Sequence, residues 1–165
     1  MAVSIESIPF TVMPTESSDP FDLGRFVDAQ EGVYETVLRE LEDGQKRSHW
    51  MWFIFPQIAG LSLSSMAQRY AITSRREAKA YLEHPVLGPR LNACCSALLQ
   101  VEGRSAEEIM GYPDFLKLKS SMTLFAAVSD GASLFSDVLK KYFSDQHDLR
   151  TIELLRGSED QRPRN

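Results

Sequence analysis

Three short stretches hold the side chains that can do chemistry. The first is Lys46-Arg-Ser-His-Trp-Met-Trp-Phe-Ile-Phe-Pro-Gln57, in which a polar lead-in runs into a six-residue apolar block carrying both tryptophans of the chain, Trp50 and Trp52. His49 stands at the boundary, where desolvation against an aromatic wall brings an imidazole into a useful titration range. Lys46, Arg47 and Ser48 offer cationic and hydroxyl donors to an anion, Trp52 offers a flat surface for a ring, and Gln57 closes the stretch with an amide. The second is Lys117-Leu-Lys-Ser-Ser-Met-Thr123. Hydroxyls in mid-helix compete for the backbone, so a ligand, a buried water or close helix packing must call for them. Ser120 and Thr123 share a helical face while Ser121 lies nearer Phe125, and Lys117 or Lys119 would make that surface friendly to phosphate. In the third, Ser64-Ser-Met-Ala-Gln-Arg-Tyr70, Arg69 can hold a carboxylate or a phosphate.

Each stretch also has a plainer reading. His49 then caps a helix or bonds a core carbonyl, the tryptophans fill space, Ser120 to Thr123 let helices approach closely, and Arg69 sits in a surface ion pair. His84, before Pro85, reads as a helix-terminal residue favoured by the dipole, and Arg90 as the partner of Glu83 or another surface acid. Asp22, Asp28, Glu31, Glu35 and Glu42 read as solvated charge on the outer face of the first helix, and Asp114 as a first-turn acid.

Several common chemistries lack their residues. The three histidines are His49, His84 and His147, with no H-x-x-x-H, H-E-x-x-H or C-x-x-C spacing, so no metal site is expected. Neither G-x-G-x-x-G, G-x-x-x-x-G-K-[ST] nor G-x-S-x-G occurs, and no cofactor is called for. Cys94 and Cys95, the only cysteines, are adjacent and make no disulfide framework.

The elements that must position these residues read as helices. Asp19-Pro20 gives a cap and a first helical position. Phe26, Val33, Val37 and Leu41 follow on one face up to Gly44, with Gly32 able to kink or split the helix. Ser48 is a candidate cap for a short helix through the aromatic block, stopped by Pro56; a buried strand competes, and the lack of a strand partner favours the helix. Helices are also predicted over 65–72, 74–84 with a Ser74/Glu77 capping box, 86–101, 105–111 with a Ser105/Glu108 box, 113–128, 133–143 and 148–155. Residues 1–18 read as a flexible arm, 19–156 as one all-α domain of about seven or eight short helices, and 157–165 as a disordered tail.

The 165 residues suffice for one domain with a sizeable core. With 43% apolar and 25% charged residues the chain is of globular type, and its net charge of −5 argues against broad nucleic-acid binding. No apolar run approaches a membrane span and residues 1–10 lack a signal-peptide pattern, so a cytoplasmic protein, monomer or homodimer, is expected.

Several blocks together resemble a bacterial family of unknown function, domain of unknown function 1810. They are Asp19-Pro-Phe-Asp-Leu23 with Arg25-Phe-Val-Asp-Ala-Gln30, Ser48 to Gln57, Met66-Ala-Gln-Arg-Tyr-Ala-Ile72, Tyr81-Leu-Glu-His-Pro-Val-Leu-Gly-Pro-Arg-Leu91 and Lys119-Ser-Ser-Met-Thr-Leu-Phe125. The resemblance implies a mainly α-helical fold and carries no activity. Two functions follow as expectations. In one, Ser48, His49, Trp52, Gln57, Arg69, Lys119, Ser120, Ser121 and Thr123 converge on a pocket for a small anionic or nucleotide-like ligand. In the other, the Trp50/Trp52 segment is the centre of a non-enzymatic protein contact.

Overall fold

Gly32 breaks the first predicted helix in two. Its backbone turns through φ +76°, a conformation that glycine adopts without steric cost, leaving α1 (Gly24–Gln30) and α2 (Tyr34–Glu42). The computed structural model describes residues 18–159. Asp19 does cap α1, but from a turn outside it: Oδ1 accepts from Leu23 N at 2.7 Å and Oδ2 from Gly24 N at 2.8 Å. Pro20 therefore lies in that turn and not at the first helical position.

Eight further helices follow: α3 (Met51–Ile54), α4 (Ser65–Arg69), α5 (Arg75–Glu83), α6 (Leu87–Gln100), α7 (Ala106–Met110), α8 (Asp114–Ala127), α9 (Leu134–Phe143) and α10 (Leu149–Glu159). The protein is all-α as predicted, with ten helices among the described residues in place of seven or eight. A parallel bridge, Ile58 to Ile72, ties the loop after α3 to the loop after α4. The arm read over residues 1–18 lies outside the described residues apart from Ser18. Gly157–Glu159, assigned to the tail, instead continue α10, and residues 160–165 lie outside the described part.

Capping explains most of the starts. Ser64, Ser74, Ser105 and Ser133 each accept a backbone N–H of the first turn that has no partner within its helix. The Ser105/Glu108 box is reciprocal, and its two bonds to Ser105 hold the Glu108 carboxyl below the ordinary glutamate range. The Ser74 box is only half made. Glu77 turns to Thr73 N and Oγ1, at 3.2 and 2.9 Å, and to Arg25. His84 caps forward: its Nδ1 accepts from Val86 N and Leu87 N at 3.1 and 3.2 Å, which places an unprotonated nitrogen over the start of α6. Gly88 packs there against α5, and a Cβ on it would sit 2.2 Å from the Leu82 carbonyl oxygen.

α8 is the axis of the molecule. It packs against α9, α10, α7 and α5, and Leu118 and every residue from Ser120 to Phe125 are buried. Around it runs a chain of aromatic contacts in which Tyr70 meets Phe53 and Phe26, Phe26 meets Tyr81 at 5.1 Å, Tyr81 meets Phe125 and Phe125 meets Phe135. Cys94 and Cys95 are buried free thiols, and burial pushes the Cys94 thiol up to about 12, so neither is poised to react. No helix among the described residues is long and apolar enough to cross a membrane.

Candidate functional site

The aromatic segment is held from below by two polar side chains that the core encloses. Glu40 of α2, 4% exposed, accepts hydrogen bonds from Arg47 N, Ser48 N, Ser48 Oγ and Trp50 Nε1, the last at 3.2 Å. Burial pushes its carboxyl up, but these four donors prevail and hold it below the ordinary glutamate value. Gln30 of α1 donates to the Phe53 carbonyl at 2.8 Å, satisfying an acceptor at the end of α3, and to Tyr81 Oη at 3.2 Å. Ser48 therefore anchors to Glu40 and does not cap α3, which begins after Trp50 with no side-chain cap.

This anchoring sorts the two tryptophans. Trp50 is 2% exposed, its N–H on Glu40 and the Lys46 ammonium 4.9 Å from its ring. It cannot contribute to an exposed patch, which removes the version of the interaction reading that used both tryptophans. Trp52 is only partly buried and lines two adjacent depressions. One, of about 230 Å³, is an uncharged slot formed with Gln57, the 58–62 loop, Gln68, Tyr70 and Thr73. The other, of about 360 Å³, is a polar groove formed with Lys46, Arg47, Ser48, His49, Tyr112 and Asp114.

Ion pairs set the charge of the groove. Asp114, at the start of α8, lies 2.9 Å from Lys46 and 3.6 Å from Lys117, and the Lys117 ammonium sits 5.6 Å from the Trp52 ring centroid. Lys46 also donates to the Ser48 carbonyl at 2.6 Å. Arg47 pairs with Asp43 at 3.1 Å, both half-exposed, an interaction worth little in water. His49 is exposed at the rim and makes no hydrogen bond among the described residues. Tyr112, 76% exposed, stands over the far side against Phe115.

The nine residues expected to converge do not all meet. Ser48, His49 and Trp52 share the groove, and Trp52 and Gln57 share the slot. Arg69 lies between two slot-lining residues but does not line the slot; its guanidinium is 5.4 Å from the Tyr70 ring, and it makes no ion pair among the described residues. Lys119 lines a different, shallower depression with residues 146–150. Ser120 donates to Asp148 Oδ2 at 3.2 Å and Thr123 Oγ1 accepts from Asp148 N at 2.9 Å, so both fix the start of α10 onto α8. Helix docking is their role, because Asp148 needs hydroxyl partners as it caps α10 at Thr151 N. Ser121 is fully buried, and its hydroxyl has no partner among the described residues. Removing an unpaired buried hydroxyl relieves a desolvation penalty, so Ser121→Ala should raise stability by about 1 kcal/mol in urea denaturation. A loss of that size instead would mean that the hydroxyl is held by an ordered water.

Sequence reasoning missed Glu40, although a signal existed: it falls three residues after Val37 and beside Leu41 on the buried stripe of α2. It also missed the Lys46–Asp114–Lys117 arrangement, which joins residues about seventy apart in the chain. Arg90 likewise bonds no acid among the described residues; it lies 4.9 Å from the Tyr34 ring and reaches Gln30 Oε1 at 3.4 Å. No group of three or more His, Cys, Asp or Glu side chains that could hold a metal ion gathers among the described residues.

Fold and cleft together define an all-α protein built on a buried Gln30/Glu40 cradle for a tryptophan-bearing segment. The chain belongs to the protein family of unknown function DUF1810, whose profile matches residues 20–155. It is similar to the conserved hypothetical protein Rv1873 from Mycobacterium tuberculosis, known from a crystal structure. That similarity is 56% identity with a TM-score of 0.82, over 84% of this chain and 99% of the other. No curated protein matches.

Proposed function

We propose that this protein binds a small anionic molecule carrying a planar ring, nucleotide-like in outline, in the cleft that runs across Trp52. The observation that carries this reading is that one partly buried indole lines both an uncharged slot and a polar, lysine-bearing groove, with the Lys117 ammonium over its ring. Ligand sites pair apolar and aromatic walls with a few polar groups, in volumes of roughly 300 to 1,000 Å³. The slot alone is too small for this, and slot and groove together are large enough. Gln57 and Trp52 would receive the ring; His49 at the rim and Lys117 beside Trp52 would face the anion, while both Ser48 donors stay on Glu40. The Lys119–Thr123 part of the expected pocket has no place in this reading, since Ser120 and Thr123 are engaged with Asp148.

Calorimetric titration with ring-bearing phosphates, namely phenyl phosphate and nucleoside monophosphates, tests it. At least one should bind, and Lys117→Gln should weaken that binding by about tenfold, the equivalent of roughly 1.4 kcal/mol. His49→Ala should also weaken it while leaving the unliganded melting temperature unchanged, because His49 makes no hydrogen bond among the described residues. If no compound of the set binds at millimolar concentration, the reading is wrong.

A further inference from the structure

We infer that the uncharged slot reads the hydrogen-bonding edge of a nucleobase through the Gln57 amide, and that the ligand class is the nucleoside monophosphates. This inference rests on the reading of the cleft given above and narrows it. The polar side chains of the slot differ in how far they are committed, and Ser62 Oγ accepts from Ser64 N at 3.4 Å. The Thr73 hydroxyl donates to the buried Glu77 at 2.9 Å, and the Gln68 amide nitrogen reaches the Leu63 carbonyl at 3.3 Å. The Gln57 side chain makes no hydrogen bond among the described residues, yet its backbone is pinned: its carbonyl accepts from Ile72 N at 2.9 Å. It is a fixed residue with an uncommitted amide, lining a slot in which no lining side chain is charged.

A glutamine amide presents a donor beside an acceptor. Nucleobases carry the matching arrangement on their edges, which is why glutamine pairs with adenine in two bonds at once. Phenyl rings carry none. Trp52, which is only partly buried, supplies the aromatic surface on which a base can rest.

The groove limits the other end of the ligand. Lys46 is engaged by Asp114 and by the Ser48 carbonyl, Arg47 by Asp43, and Lys117 lies 3.6 Å from the same Asp114 carboxylate. Little uncompensated positive charge remains, enough for one phosphate. A triphosphate would bring further negative charge against Asp114 and Asp43 with nothing to offset it.

Calorimetry with adenosine and uridine monophosphates, adenosine triphosphate and phenyl phosphate separates these claims. We expect a nucleoside monophosphate to bind about tenfold or more tighter than phenyl phosphate, and tighter than the triphosphate. In Gln57→Leu, its melting curve showing it folded, the advantage over phenyl phosphate should fall to about nothing; Gln57→Glu, which keeps the shape but not the donor, should lose it likewise. The inference is overturned if phenyl phosphate binds as tightly as the nucleotides, if the triphosphate binds best, or if folded Gln57→Leu keeps the preference. In each of those cases the cleft still binds ring-bearing anions. Failure of every probe to bind overturns both.

Discussion

Arg25→Met should be among the most destabilising single substitutions in this protein, lowering stability by about 3 to 5 kcal/mol. All five donors of the Arg25 guanidinium are in use. Nη1 donates to the Phe21 and Asp22 carbonyls at 2.6 and 2.8 Å, Nε to Arg69 O at 2.9 Å, and Nη2 to Ala71 O and Glu77 Oε2, both at 2.9 Å. One side chain thereby joins the turn before α1, the segment after α4 and the first turn of α5. Methionine keeps the aliphatic stem but leaves Glu77 as a buried carboxylate, its side chain 3% exposed, with Thr73 its one remaining partner among the described residues. That uncompensated charge is the main cost. The double variant Arg25→Met with Glu77→Gln should recover a good part of the loss, because the amide carries no charge to bury. Urea denaturation of the four proteins measures this coupling, and additive losses would show that packing, not the ion pair, matters at Arg25. Since Arg25 holds the carbonyls of Arg69 and Ala71, the same variant should loosen one wall of the slot.

Glu40→Ala is the second large effect, an expected loss of about 3 kcal/mol, since it strips the acceptor from four donors of which the Trp50 N–H is fully enclosed. Glu40→Gln should cost less, about 2 kcal/mol, because one amide oxygen remains to accept. The carboxylate also gives a pH signature. Its folded-state pKa is depressed below the ordinary 4.5, so the charged form is the one the fold stabilises. Its contribution is complete above that ordinary value and is lost as pH falls through the lower, folded one. The stability gap between wild type and Glu40→Gln should therefore be constant near neutrality and narrow in acid below 4.5. A gap that stays constant down to the acid transition would mean that Glu40 is not ionised in the folded protein.

The helices were legible because their signals are local. Serine and aspartate caps, the Ser105/Glu108 box and the three-and-four spacing of apolar residues depend on neighbours within one turn, and Ser64, Ser74, Ser105 and Asp148 act as caps in the fold. Gly32 carried two outcomes, kink or split, and the positive φ decided for the split. What was not legible is long-range pairing. Nothing in the periodicity of 114–127 says that Asp114 meets Lys46, or that Asp148 arrives beside Ser120 and Thr123 to absorb hydroxyls that otherwise suggest a ligand. The prominence of residues 48–57 was visible at once. Which tryptophan is enclosed and which is available depends on a glutamate ten residues earlier, whose place on the buried stripe of α2 does not say which donors it meets.

That division between the tryptophans gives the most direct measurement. The protein has two indole N–H groups. Trp50 donates to Glu40 and is enclosed, and Trp52 lines the cleft. In a two-dimensional amide NMR titration with a nucleoside monophosphate, the Trp52 indole resonance should shift progressively to saturation while that of Trp50 moves little. An unmoved Trp52 resonance at saturating nucleotide, or equal shifts of both indoles, would overturn the placement of the ligand at Trp52.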